Sequence, residues 1–164
     1  MVIGVISDTH IPVRATALPA EVIRDLKKVD MIVHAGDLVE KNVLVVLRQI
    51  CPKVVAVCGN MDSEELKSIL KTRELIKIEN FKIGVIHGYG PPSELINLVA
   101  SEFERERPDV IIFGHSHSPY NQRHSGVLLF NPGSLTDKVF SSFNSYGLLE
   151  IKDKITAKIV KLKG

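Results

Sequence analysis

Short apolar runs alternate with helical spacing through the first half of the chain. Val2 to Ser7, Met31 to His34 and Lys53 to Val57 read as strands, while segments near Pro19 to Lys28 and Asn42 to Ile50 carry apolar residues at the period of a helix. This β-α-β-α-β order predicts parallel strands covered by helices. Pro19 is expected in the first turn of its helix, where a missing N–H costs little.

From residue 73 onward the period becomes that of hairpins. Glu74 to Glu79 and Phe81 to His87 flank Asn80, and Tyr120 to His124 and Val127 to Phe130 flank Ser125-Gly126; both read as tight turns. Between these pairs, Pro92 to Arg105 predicts a helix and Asp109 to Phe113 a buried strand. The tail adds Tyr146 to Ile151 and Ile155 to Leu162, turning at Asp153-Lys154. No repeat, low-complexity tract or linker divides the chain, so residues 1–164 are expected to form one domain. Periodicity leaves open whether the strands make one sheet or two packed sheets.

Five polar clusters follow or close the apolar runs: Asp8-Thr9-His10, Gly36-Asp37, Gly59-Asn60-Met61-Asp62, His87-Gly88 and Gly114-His115-Ser116-His117. Ligands of open α/β sheets gather beyond the carboxyl ends of the strands, so these clusters are placed to converge. In extended chain, side chains at i and i+2 point the same way, which pairs Asp8 with His10 and His115 with His117. With Asp37, Asn60 and His87 they make seven candidate ligands, too many for one tetrahedral ion and about right for two ions sharing a carboxylate. Mixed oxygen and imidazole donors suit borderline divalent ions such as Mn, Fe, Zn or Ni. A glycine beside each cluster keeps bulk away from the site.

Composition narrows the setting. The 21 basic and 19 acidic side chains nearly cancel and form no long basic run, so no nucleic-acid surface is expected. Cys51 and Cys58 lack the repeated pairing of a thiolate metal site or a secreted scaffold, which predicts a reducing cytoplasm. The chain opens on a strand-like run without signal-peptide features, and no apolar run approaches the ~20 residues of a membrane span.

The ordered motifs Asp-x-His, Gly-Asp, Gly-Asn-x-Asp, His87-Gly88 and Gly-His-x-His resemble those of the calcineurin-like metallophosphoesterases. Residues 2 to 151 follow that pattern, including Asn131-Pro132-Gly133-Ser134 and Tyr146 to Ile151, most like the small bacterial and archaeal phosphodiesterases. The resemblance implies an α/β fold, a four-layer α/β/β/α sandwich of two mixed sheets flanked by helices. It implies two divalent metal ions (Mn, Ni, Fe or Zn), one held by Asp8, His10, Asp37 and His117, the other by Asn60, His87, His115 and the bridging Asp37. It further implies a small phosphate-ester substrate, preferentially a diester, attacked by a metal-activated water while Asp37, Asn60, His87 and His10 serve the chemistry. Met61 departs from the histidine of larger members, which is thought to protonate the leaving oxygen; methionine has no proton to give. The segments His10 to Arg14 and Phe81 to Gly88 are also similar to the retromer subunit vacuolar sorting protein 29, so a protein-binding scaffold docking through the Phe81 to Ile86 strand or nearby surface is the rival reading.

Several residues carry two readings. His34 is expected at a strand end or behind the ligands, and His124 on an exposed hairpin. Cys58 reads as a small buried hydrophobe with metal or oxidant sensitivity left open. Asp62 either accepts from a ligand histidine or caps the helix beginning near Ser63. Arg14 reads as solvated or ion-paired, with a substrate phosphate as the alternative. Phe140 and Phe143 lie in the polar stretch Asp137 to Asn144 and are expected to fold back onto the core; a pocket lid or a subunit contact in a homo-oligomer is the sharper alternative.

Overall fold

A computed structural model describes residues 1–163. The elements run β1 (Val2–Ile6), α1 (Ala20–Leu26), β2 (Met31–His34), α2 (Lys41–Ile50), β3 (Val54–Ala56), α3 (Glu64–Ile69), β4 (Arg73–Ile78) and β5 (Phe81–Ile86). There follow α4 (Leu95–Ser101), β6 (Val110–Ile112), β7 (Tyr120–His124), β8 (Val127–Asn131), β9 (Ser145–Ile151) and β10 (Ile155–Lys161). They build two five-stranded sheets, ordered β10-β9-β1-β2-β3 and β4-β5-β6-β8-β7. Both are mixed: β1, β2 and β3 are parallel, β9 runs antiparallel to β1 and β10 antiparallel to β9, and β5, β6 and β8 are parallel between antiparallel β4 and β7.

Strand alternation sorts the core into layers. Ile3, Val5 and Val33 of the first sheet meet Ile83, Val85, Val110, Ile112 and Phe130 of the second. On the outer face of the first sheet, Ile6 and Ile32 pack against Val22, Leu26, Leu44, Leu47 and Leu66 of α1 to α3. On the outer face of the second, Ile86 and Ile111 pack against Leu95 and Val99 of α4 with Phe103. The result is an α/β/β/α sandwich. Helices this short do not persist alone, so their buried stripes hold them; each fully buried Leu or Val contributes about 1.5–3 kcal/mol. No helix among the described residues is long and apolar enough to cross a membrane.

Local differences from the sequence reading have physical causes. Pro19 is the N-cap of α1 (φ −59, ψ 137) and lies just outside its first turn. The helix expected over Pro92 to Arg105 contracts to Leu95–Ser101. Pro92 disfavours helical geometry at Pro91, and after Ser101 the N–H groups of Phe103 and Glu104 bond three residues back, to Ala100 and Ser101, which tightens the chain into turns. Strand β5 lies between β4 and β6, so its backbone is spent on neighbours and offers no free edge for a partner. What the architecture positions is the end of the parallel strands: the chain leaves β1, β2, β3, β5 and β6 directly into the five polar clusters.

Candidate metal centre

The loops after β1 and β2 are stitched by Asp8 N–H to Gly36 O (3.0 Å) and His10 N–H to Asp37 O (3.1 Å); those after β5 and β6 by Gly114 N–H to His87 O (3.0 Å). Five of the seven predicted ligands adopt left-handed backbone there: Asp8 (φ 51°), His10 (44°), Asp37 (59°), His115 (70°) and His117 (57°). The extended geometry expected for the Asp8/His10 and His115/His117 pairs is thus replaced by tight turns. Such residues cost about 1–3 kcal/mol each and persist where surroundings over-determine them. Gly36 (φ +95°) is required in the same way, because a Cβ there would stand 2.6 Å from Nδ1 of His87.

The turns bring all seven side chains together in two adjoining groups. His10 Nε2 and His117 Nε2 face each other at 3.1 Å, and Asp8 Oδ1 lies 3.8 and 3.4 Å from them. Asn60 Oδ1 sits 3.2 Å from His87 Nε2 and 3.3 Å from His115 Nδ1. Between the groups, Asp37 Oδ2 is 3.3 Å from His87 Nε2 and 3.7 Å from His10 Nε2. Asp8, His10 and His117, and again Asp8, Asp37 and His87, offer ligand atoms all within 4.8 Å of one another.

A cation fits this arrangement. Asp8 is fully buried; its Oδ2 accepts from Ser7 Oγ (2.6 Å) and His115 N–H (3.2 Å). Its Oδ1 is buried without any hydrogen-bond partner and is aimed at the imidazoles. An unpaired carboxylate oxygen in such a place is costly unless a positive charge meets it. Histidine orientation is fixed from behind. His87 Nδ1 donates to Ala35 O (2.7 Å), His115 Nε2 to Gly90 O (3.0 Å), and His117 Nδ1 to Asp137 Oδ2, so in each the other ring nitrogen faces the centre.

Charge follows from the same contacts. Burial works to raise Asp8 and Asp37, but His117 and His87 respectively lead the interactions that hold both carboxyls below the usual range. Burial alone would lower His87; the hydrogen bond to Asp37 and the Asp8 charge overcome it and push its pKa up to about 9. His117 is likewise raised against burial, by Asp8 and Asp137, whereas in His10 burial wins and the pKa falls.

The supporting residues were partly visible in the sequence. His34 lies behind the site as expected: its Nδ1 accepts from Gly36 N–H (3.2 Å), its Nε2 meets Thr9 Oγ1 (3.1 Å), and burial drives its pKa down to about 3. Asp62 does neither thing expected of it. Its carboxylate accepts from Gly59 N–H (2.7 Å), Val39 N–H (2.6 Å) and Asp37 N–H (3.2 Å), tying the Asn60 loop to the Asp37 loop, while Ser63 caps α3. Asp137, buried behind His117, escaped sequence reasoning. So did Ser134 and Thr136, whose hydroxyls donate to Asp8 O and Thr9 O (both 2.7 Å). Cys58 is only partly buried, with its thiol pKa raised by that burial, and His124 is exposed on its hairpin. Phe140 corrects the expectation of folding back: its ring is 68% exposed and stands edge-on to His117, centroids 6.2 Å apart, whereas Phe143 is half-buried. Arg14 is exposed and stacks over Phe140 at 5.9 Å.

Carboxylate, imidazole and amide donors gathered where the parallel strands of two stacked sheets end define a metal-binding α/β protein. Residues 1–154 match the calcineurin-like phosphoesterase superfamily domain. The chain is 40% identical to a probable metallophosphoesterase of Methanocaldococcus jannaschii over 167 positions, covering 99% of this chain and 82% of that one. A phosphodiesterase of the same organism is 25% identical over 171 positions, covering 98% and 99%. Vps29 of Entamoeba histolytica, in a crystal structure with Zn²⁺, superposes with a TM-score of 0.77 at 28% identity over 98% of this chain and 99% of that one. The chain belongs to the calcineurin-like phosphoesterase superfamily, whose members bind divalent metals.

Proposed function

We propose that this chain is a single-domain phosphodiesterase that works with two divalent metal ions. The observation that carries the reading is the buried, unpartnered Asp8 Oδ1 facing three imidazoles, beside an Asp37 oxygen set between His10 and His87. Asp8, His10, Asp37 and His117 would hold one ion, and Asp37, Asn60, His87 and His115 the other. When bound, such ions would supply Lewis acidity toward a phosphate ester and lower the pKa of a bound water. The chain's own part is orientation. Asp37 Oδ1 accepts from Met61 N–H (2.8 Å), which leaves Oδ2 to face both histidine groups. His10, His87 and Asn60 would be close enough to help polarise a phosphate oxygen, and the backing partners keep the inward ring nitrogens of His87, His115 and His117 facing the centre. No side-chain nucleophile is needed, and Met61 offers no proton to a leaving group.

Likeness to Vps29 supports the rival reading, a scaffold with weak or no activity. Zinc accompanies that Vps29 as well, so metal binding alone does not separate the two; turnover does. The test is hydrolysis of bis(4-nitrophenyl) phosphate, cyclic nucleotides and 4-nitrophenyl phosphate after loading with Mn, Ni or Zn. Diesters are expected to turn over faster than the monoester, with Asp37→Asn and His115→Ala inactive yet folded and two ions bound per wild-type chain. Near-normal turnover in either variant, or saturation at one ion, overturns the reading.

A further inference from the structure

Several hydrophobic side chains left in solvent lie close in sequence to the residues of the metal centre. Nine large ones are exposed among the described residues, and five of these, Val13, Met61, Tyr89, Val139 and Phe140, lie within three residues of a predicted ligand or of Asp137. Single exposed hydrophobics need no explanation, but Phe140 also lines a groove that it shares with His115 and His117. Phe140 is the most exposed at 68%, and its place is built. Asp137 Oδ1 accepts from Val139 N–H (2.8 Å) and Phe140 N–H (3.3 Å), while the other oxygen of the same carboxylate pairs with His117. The exposed ring is therefore anchored to a predicted ligand.

Beside it lies a groove of about 630 Å³ whose lining includes His115, His117, Phe140, Pro92, Ile96 and Tyr120. No Asp, Glu, Lys or Arg lines it. Away from the histidine end, where Pro92, Leu95, Ile96, Phe113 and Pro119 line it, a charged group would lose water without gaining a charged partner. A flat apolar ring would gain burial and an aromatic contact that an alkyl group lacks. We propose that this groove receives a planar aromatic ester group of the substrate, with Phe140 as its stacking platform, so that the site selects aryl phosphodiesters over alkyl ones. The assignment rests on the phosphodiesterase reading for the origin of the ester, but its test does not need turnover.

The probes are diphenylphosphinate and dimethylphosphinate, diester analogues whose P–C bonds are not hydrolysed, titrated calorimetrically into the Mn-loaded protein. Wild type is expected to bind the diphenyl compound more tightly. Phe140→Ala should cut that preference about threefold to tenfold, and Phe140→Trp should restore it. Because the side chain is exposed, neither substitution threatens the fold. Equal affinity of wild type for the two probes, or an unchanged preference in Phe140→Ala, overturns the inference. A Phe140-dependent preference in a protein that hydrolyses no diester upholds the aromatic subsite and refutes the hydrolase reading.

Discussion

Removing the Asp62 carboxylate should loosen the metal centre and the fold together. Asp62 is 3% exposed and accepts three backbone N–H bonds, at 2.6, 2.7 and 3.2 Å. Its donors span two loops, so Asp62→Ala strands the N–H groups of Asp37, Val39 and Gly59 at once. A hydrogen bond to a charged group contributes about 1.5–3 kcal/mol, which gives about 4.5–9 kcal/mol for three taken singly. Against that stands the cost of burying the carboxylate, which shows in its pKa: burial pushes it up despite the Gly59 and Val39 N–H groups and is relieved in the variant. Water entering the space left by the truncation also serves part of the need. A net loss of about 3–5 kcal/mol remains, a large share of the about 5–15 kcal/mol that stabilises a typical domain. The assay is urea unfolding of the metal-free protein, followed by Mn titration of whatever remains folded. Asp62→Ala should lower the midpoint without changing the slope and weaken metal binding, since Asp37 and Asn60 lose their common tether. A loss below about 1 kcal/mol with unchanged metal affinity would refute the view that this carboxylate organises the two loops.

His87 makes metal loading a proton-releasing event. Its folded pKa of about 9 exceeds the ordinary 6.5, so it contributes about 3 kcal/mol to the metal-free fold, fully present below about pH 6.5 and lost as pH rises through about 9. Loading with Mn at about pH 7.5 should therefore expel about one proton or more per chain. Calorimetry in buffers of different ionisation enthalpy measures this, and release below about half a proton counts against the His87–Asp37 pairing. A third expectation concerns Met61, whose side chain is 51% exposed beside the centre. With no donor there, log kcat/KM should fall steeply with leaving-group pKa, and Met61→His should flatten that slope, gaining up to the ~10²–10⁴-fold of general acid catalysis. A shallow wild-type slope, unchanged by the substitution, means that another group already supports the leaving oxygen.

What the sequence made legible was set by locality. Val2–Ile6 and Met31–His34 carry their strand character in adjacent residues, and the ligands are legible because each lies in a polar cluster that follows or closes an apolar run. Pairing of two sheets is a long-range property: the runs at Ile83 to Ile86 and Ile3 to Ile6 read alike whether they share one sheet or face each other across a core. Only the family resemblance chose between those cases. The same limit hid Asp137. Its partner His117 is 20 residues away, and nothing near Asp137 distinguishes it from a loop aspartate. Asp62 was misread for the converse reason. Its neighbour Ser63 begins a helix, which suggested a local cap, whereas its bonds reach back to Val39 and Asp37.

Phe140 shows why such errors gather at the site. Burial there would have stabilised the chain by about 1.5–3 kcal/mol, so folding back was the sound default. Asp137 instead spends its backbone contacts on holding residues 139 and 140 outward while serving His117. The left-handed turns at Asp8, His10, Asp37, His115 and His117 are a departure of the same kind, local stability given up for convergence of side chains. Rules of propensity and burial fail together where one buried carboxylate fixes both a predicted ligand and the exposed aromatic beside it.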